Sequence, residues 1–358
     1  MMALPNPAYT FRAISALGFC AQWVVMMING MLITMLQAAW RGVSLSGAPI
    51  KTTWTRIWPI DYVLSVLVAF FAAIDTVVGF PNIGSFLLLV DLILALTVCG
   101  VMTLVEDRRD RKTGPLRYPA FWQLMWNFCG AASVMPLYMH LFFEKRSNRN
   151  PRIEANQAQA LPFTAVWSVI TTLPLLLPAI LGATDTQIQN GVVIWFFAPL
   201  SVGIFQELAS SLVASVSYKG TRNPVIASYS IVGYASAIAH IGITVWANLF
   251  LGIPWSRMYV PNHNIVEQGP NIMADGAFLF LQYGHMFISL CVLVFGAYMV
   301  NSASSPAAKS VAGEPWANKP LLKLTAITAI AGPGAGLAWL LCTRETAVGS
   351  ENTTVKQS

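Results

Sequence analysis

The stretch FLLLVDLILALTVCGVMTLV, residues 86–105, decides the fold class. A helix of about 20 apolar residues matches the ~30 Å hydrocarbon core of a bilayer. One charge, Asp91, interrupts it near its start. No water reaches that depth, so the backbone must satisfy its own hydrogen bonds, and helix is the economical way to do so.

Similar runs occupy 14–39, 61–80, 118–142, 162–182, 191–217, 225–252, 275–300 and 321–342. They predict an all-α, polytopic transmembrane helix bundle of eight or nine spans. The whole of 1–343 reads as one transmembrane domain, and 344–358 as a polar C-terminal tail. Neither an internal repeat nor a soluble domain is visible. The first run follows Thr10-Phe11-Arg12 and is too long for a cleavable signal core, so it is expected to stay as a first helix.

Composition agrees. Of 358 residues, 56% are hydrophobic and 10% charged, where soluble domains carry about 25% charge. The net charge of +6 does not point to nucleic acid, because Lys and Arg sit in short loops between apolar runs. The expected partners are the lipid bilayer and a hydrophobic small molecule. Cys20, Cys99, Cys129, Cys291 and Cys342 lie in or near apolar runs and form no CxxC, so they read as small hydrophobes and not as disulfides or a metal site.

Basic residues gather in 41–56, 108–117, 145–152, 219–222 and 309–323, which the positive-inside rule places on the cytoplasmic side. The run 118–142 is flanked by basic loops at both ends. It is long enough to cross and is read as a full span, against a re-entrant alternative. The loop 253–274, with Trp255, Tyr259 and His263, would then cover the opposite mouth.

Ionisable groups at bilayer depth are costly and mark function by default. Asp75 and Asp91 flank the turn Pro81-Asn82-Ile83-Gly84, each about 11–13 Å from it at 1.5 Å rise per residue. An antiparallel hairpin would set them face to face. One carboxyl would then stay protonated, either as an acid or as a hydrogen bond that staples the hairpin. Glu207 is a rival acid. His240 and His285 are candidate proton acceptors, with interhelical glue as the alternative. Trp122, Trp126, Trp195, Trp246 and Tyr283 lie deep in their runs and are candidate substrate-binding walls able to stabilise a cation.

Two motifs are discounted. Glu106-Asp107-Arg108-Arg109-Asp110 resembles a diphosphate-binding acidic motif, but its own arginines neutralise it and no second acidic motif follows. It reads as a solvated loop. Gly332-Pro333-Gly334-Ala335-Gly336 lies in an apolar run and reads as close packing or a kink. No cluster shows metal-ligand spacing, and no cofactor is expected.

The segment Leu116-Arg117-Tyr118-Pro119-Ala120-Phe121-Trp122-Gln123, followed by Pro136-Leu137-Tyr138, resembles fungal membrane-bound terpene cyclases of meroterpenoid biosynthesis, the ascochlorin and macrophorin cyclase type. Length, span count and basic loops fit the same resemblance. It implies an enzyme of the endoplasmic reticulum that protonates the alkene or epoxide of a farnesylated substrate and cyclises it, with no metal and no diphosphate loss. It transfers no catalytic residue. The alternative class is a proton-coupled or passive transporter. Paired interrupted helices, the usual pointer to a transport site, are not visible in the sequence. A prenyltransferase using 106–110 is a third reading.

Overall fold

The computed structural model describes residues 5–45, 47–74, 83–109, 115–145, 153–216, 220, 223–266, 271–301 and 319–354. Among these the regular structure is all helix, with no strand. The elements are α1 (Pro7–Ile28), α2 (Met31–Arg41), α3 (Trp58–Ala72), α4 (Ile83–Arg109), α5 (Pro119–Cys129), α6 (Ala131–Lys145), α7 (Ala155–Ile180), α8 (Asp185–Ser215), α9 (Pro224–Phe250), α10 (Trp255–Tyr259), α11 (Ile272–Asn301) and α12 (Lys319–Thr354).

Seven helices are long and apolar enough to cross a membrane: α1, α4, α7, α8, α9, α11 and most of α12, although α12 folds back on itself and is not one span. The other apolar runs behave differently. The described part of 61–80 is α3, of only 15 residues. The run 118–142 is not one span. It breaks at Gly130, whose φ of +86° suits glycine alone. Trp122 and Tyr138 are 16 positions apart, which is about 24 Å along a straight helix, yet their ring centroids lie 5.5 Å apart. α5 and α6 therefore form a folded-back hairpin. Its two ends emerge together, which explains why both flanking loops are basic.

α12 does the same at Gly332 (φ +88°). Leu324 and Leu340 both abut Gly296, and the Lys323 ammonium lies 5.4 Å from the Trp339 ring centroid. Pro333, which has no N–H to continue the ladder, follows the break. Two interrupted helices thus occupy matching places, one after α4 and one after α11. A continuous apolar pattern runs through each break, so periodicity gives no warning of it.

α4 is the central strut, packed against α9, α11 and α12. α1 lies along α6, α9 lies along α12, and α7 separates α8 from α9. α3 packs on α2 and α8 and not along α4, so the expected hairpin between the second and third runs is not how α3 is held.

The two ends of the bundle differ in charge. At one end Arg344 bonds Glu106 at 2.7 Å, Arg109 bonds Glu345 at 2.5 Å, and Arg108 bonds Glu207 at 2.7 Å. The segment 106–109, expected as a solvated loop, is buried, and Glu106 is 0% exposed. Arg344 and Glu345, expected in the tail, belong to this network, and α12 continues to Thr354. The loop 41–56 lies at the other end: Lys51 Nζ donates to Asn190 Oδ1 at 2.8 Å. Asn190 and Glu207 are 17 residues apart on α8, about 25 Å. This loop departs from the basic grouping because Lys51 is paid for locally, by Asn190 and by the Trp54 ring at 5.5 Å.

Candidate active site

Asp91 is 0% exposed and sits on the face of α4 that meets α9 and α11. His240 of α9 places Nδ1 2.7 Å from Asp91 Oδ2. Tyr259 of α10 donates its hydroxyl to the same oxygen at 3.1 Å. His285 of α11 places Nε2 3.5 Å away. Asp91 Oδ1 and His285 Nε2 have no hydrogen-bond partner among the described residues. The two imidazoles stack with centroids 5.8 Å apart, and the Tyr259 ring packs on both, at 5.3 and 4.7 Å.

Local structure explains the convergence. The break at Gly332 brings bare backbone against His240, where a Cβ would fall 2.8 Å from the ring. Gly334 likewise lets α12 press on Ser236 and Ala95. The lid is α10, whose Tyr259 reaches down to Asp91 and also meets Thr244 Oγ1 at 3.1 Å. Burial pushes the Tyr259 phenol above its usual range, so it stays an O–H donor. The side-chain ligand atoms of Asp91, His240 and His285 all lie within 4.8 Å of one another, which is a donor set able to hold a divalent metal.

Beside this cluster is an apolar cavity of about 340 Å³, within the usual size range of small-molecule sites. Trp23, Phe70, Phe71, Trp126, Trp195 and Phe280 give it aromatic walls. Its lining on α4 is Leu89, Leu92, Ile93 and Leu96, a different face from that of Asp91. The two sites share a wall at Leu92 and Gly284, the chain neighbours of Asp91 and His285. The tip of the α5–α6 hairpin closes the cavity at Gly130, where a Cβ would strike Gln22 Oε1. Gln22 sits in a π-helical turn, Cys20–Val24. Such turns re-aim side chains and recur at functional sites.

Of the residues singled out from sequence, Asp91, His240 and His285 come together, and Trp126 and Trp195 share the cavity. Asp75 lies outside the described residues, so the carboxyl pair has only Asp91 described. Glu207 and His240 do not meet, because α7 stands between their helices. Glu207 instead bonds Arg108, and accepts from Gln157 Nε2 at 3.0 Å. Trp122 is buried within the α5–α6 hairpin against Tyr138. Trp246 faces outward, 45% exposed. Tyr283 bonds His263 near the loop mouth. Tyr259, Gln22 and Gly332 were not singled out as site residues. A tyrosine in the loop expected to cover the mouth was the available signal for Tyr259.

The fold and the cluster define a class: an all-helical protein of membrane-spanning type with a buried carboxyl–imidazole–phenol group beside an aromatic cavity. The chain belongs to the CtvD domain family, which it matches over residues 8–349. It is 27% identical to terpene cyclase DEP1 of Alternaria brassicicola, over 96% of this chain and 100% of that one. It is 26% identical to terpene cyclase DEP1 of Fusarium langsethiae, over 93% and 96%. Terpene cyclase alnG of Emericella nidulans is 22% identical over 92% and 91%. The resemblance to fungal terpene cyclases read from the sequence therefore holds. No solved structure matches the chain.

Proposed function

We propose that this protein is a terpene cyclase of the endoplasmic reticulum membrane that protonates the alkene or epoxide of a farnesylated, meroterpenoid substrate. The observation that carries the reading is Asp91: fully buried, held by His240 and Tyr259 through one oxygen, and unpartnered at the other. A carboxyl in such surroundings can keep its proton and donate it. The prenyl chain takes the aromatic cavity, whose rings stabilise the carbocation and whose dryness protects it. Gly284, next in the chain to His285, lines the cavity without a side chain, and on this reading the reactive end of the chain reaches the acid past it.

In the reaction, the proton leaves Asp91 for the terminal alkene carbon, or for the epoxide oxygen with C–O cleavage. The remaining double bonds close onto the cation. A ring-adjacent proton then returns to the Asp91–His240–His285 group. Atoms balance without a leaving group, so product and substrate have equal mass. Microsomes containing the protein should turn a farnesylated phenol into an isomer of equal mass, with chelator present. Absence of any such isomer across a panel of prenylated phenols and their epoxides would overturn the proposal.

The two interrupted helices favour a second reading, a transporter of the same class of hydrophobic molecule. Unchanged substrate accumulating across vesicles, with no isomer formed, would support it.

A further inference from the structure

We infer that Asp91, His240 and His285 form a zinc site, and that an ion bound there blocks the chemistry of the same three side chains. Three observations converge on the metal. The ligand atoms lie within 4.8 Å of one another. Asp91 Oδ2 lies 2.7 Å from His240 Nδ1 and 3.5 Å from His285 Nε2, so the two imidazoles already converge on one carboxylate. Two of the atoms an ion would use, His285 Nε2 and Asp91 Oδ1, are buried and have no other partner among the described residues. Two imidazoles and a carboxylate suit zinc, and the Tyr259 hydroxyl, 3.1 Å from Asp91 Oδ2, would orient the carboxylate from outside the ligand set.

The surroundings hold these groups in place. Gly332 fixes the His240 ring from α12, and the Tyr259 ring packs on both histidines from α10. The site is therefore formed before any ion arrives, which limits the cost of ordering it. An ion held by these three side chains occupies the atoms that the cyclase reading gives to the substrate's chemistry, so zinc acts as a reversible off-switch. This last step rests on the cyclase reading, whereas the binding site itself does not.

The test uses the full chain in detergent or nanodiscs. Cobalt(II) is added to chelator-treated protein and read by its visible absorption, and zinc is measured by equilibrium dialysis. One equivalent should bind with the intense bands of a four-coordinate ion, and zinc should displace it. Asp91→Asn and His285→Gln should each weaken zinc binding by about tenfold or more. Zinc should abolish equal-mass product formation, and chelator should restore it. No saturable cobalt or zinc binding by the wild-type chain would overturn the site, and it needs no variant to fold. Binding unchanged in both variants would also overturn it. Binding that switches activity on would leave the site standing and overturn the block, along with the metal-free cyclase.

Discussion

Replacing Asp91 with asparagine separates the chemistry from the fold. Asp91 Oδ2 takes both His240 Nδ1 at 2.7 Å and the Tyr259 hydroxyl at 3.1 Å, while Oδ1 takes nothing among the described residues. An asparagine fills the same space with its carbonyl at the Oδ2 position, so both contacts persist. In the proposed acid form Asp91 is neutral, so each contact joins neutral groups before and after and loses at most about 1 kcal/mol. The amide nitrogen replaces an atom that was already unpaired, so the orphan cost hardly changes. The net destabilisation is at most about 2 kcal/mol, which leaves a folded protein. Loss of a general acid, in contrast, costs about 10²- to 10⁴-fold in rate. Thermal melting in detergent, paired with mass-spectrometric product formation per folded protein, reads both. A variant that melts within a few degrees of wild type and still forms product at more than about a tenth of its rate would refute Asp91 as the acid.

Tyr259→Phe removes the hydroxyl that bonds Asp91 and Thr244. Product formation should fall about tenfold, on the scale of one hydrogen bond of about 1.4 kcal/mol, with little change in melting. Gly130→Ala puts a Cβ against Gln22 and Phe280 at a φ of +86°. The left-handed backbone alone costs about 1–2 kcal/mol, so the melting temperature should drop, and an unchanged melt would argue against the hairpin tip as described. Glu106→Gln and Arg344→Met should each destabilise the protein by less than the roughly 3–5 kcal/mol of a fully orphaned buried charge, because Arg109 still reaches Glu106 and Glu345 still reaches Arg344. The double variant should recover most of that loss, and additive losses would show that the pair is not a coupled unit.

The sequence made the helical class plain because a run such as 86–105 has few other ways to satisfy its backbone in lipid. It also exposed Asp91, His240 and His285, since ionisable groups stand out against Leu and Val. What it concealed follows from the same uniformity. The reversals at Gly130 and Gly332 change direction without changing hydropathy, so each hairpin read as a single run. Glu207 looked uncompensated because its partner Arg108 comes from a helix about 100 positions away, and charge pairing across such distances leaves no local trace. Tyr259 escaped for a different reason: it belongs to a five-residue helix in a loop, where an aromatic residue reads as interfacial dressing.

The two hairpin tips explain why acid and cavity lie side by side. Gly130 reaches Gln22 of α1 and Phe280 of α11, and Gly332 reaches His240 of α9 beside Asp91 of α4. Each tip meets one long helix that starts at the Arg108 end and one that finishes there, so α1, α11 and the first hairpin are the counterparts of α9, α4 and the second. In one group the buried polar residue beside the tip is an amide, Gln22, and its surroundings are aromatic. In the other it is an imidazole paired with a carboxyl. The same scaffold therefore supplies an apolar pocket on one side of the α4–α11 contact and a buried carboxyl–imidazole group on the other. On the proposed function the two communicate past Gly284, which lines the cavity next to His285. Chemistry that must hold a hydrocarbon chain away from water while delivering one proton to it needs both halves and a route between them. On this reading Gly284→Ala, which places a methyl 3.3 Å from Gln22 Nε2 and 3.7 Å from Leu92, should slow turnover more than it weakens binding of the prenyl chain. Equal effects on both would mean that the chain does not pass at Gly284.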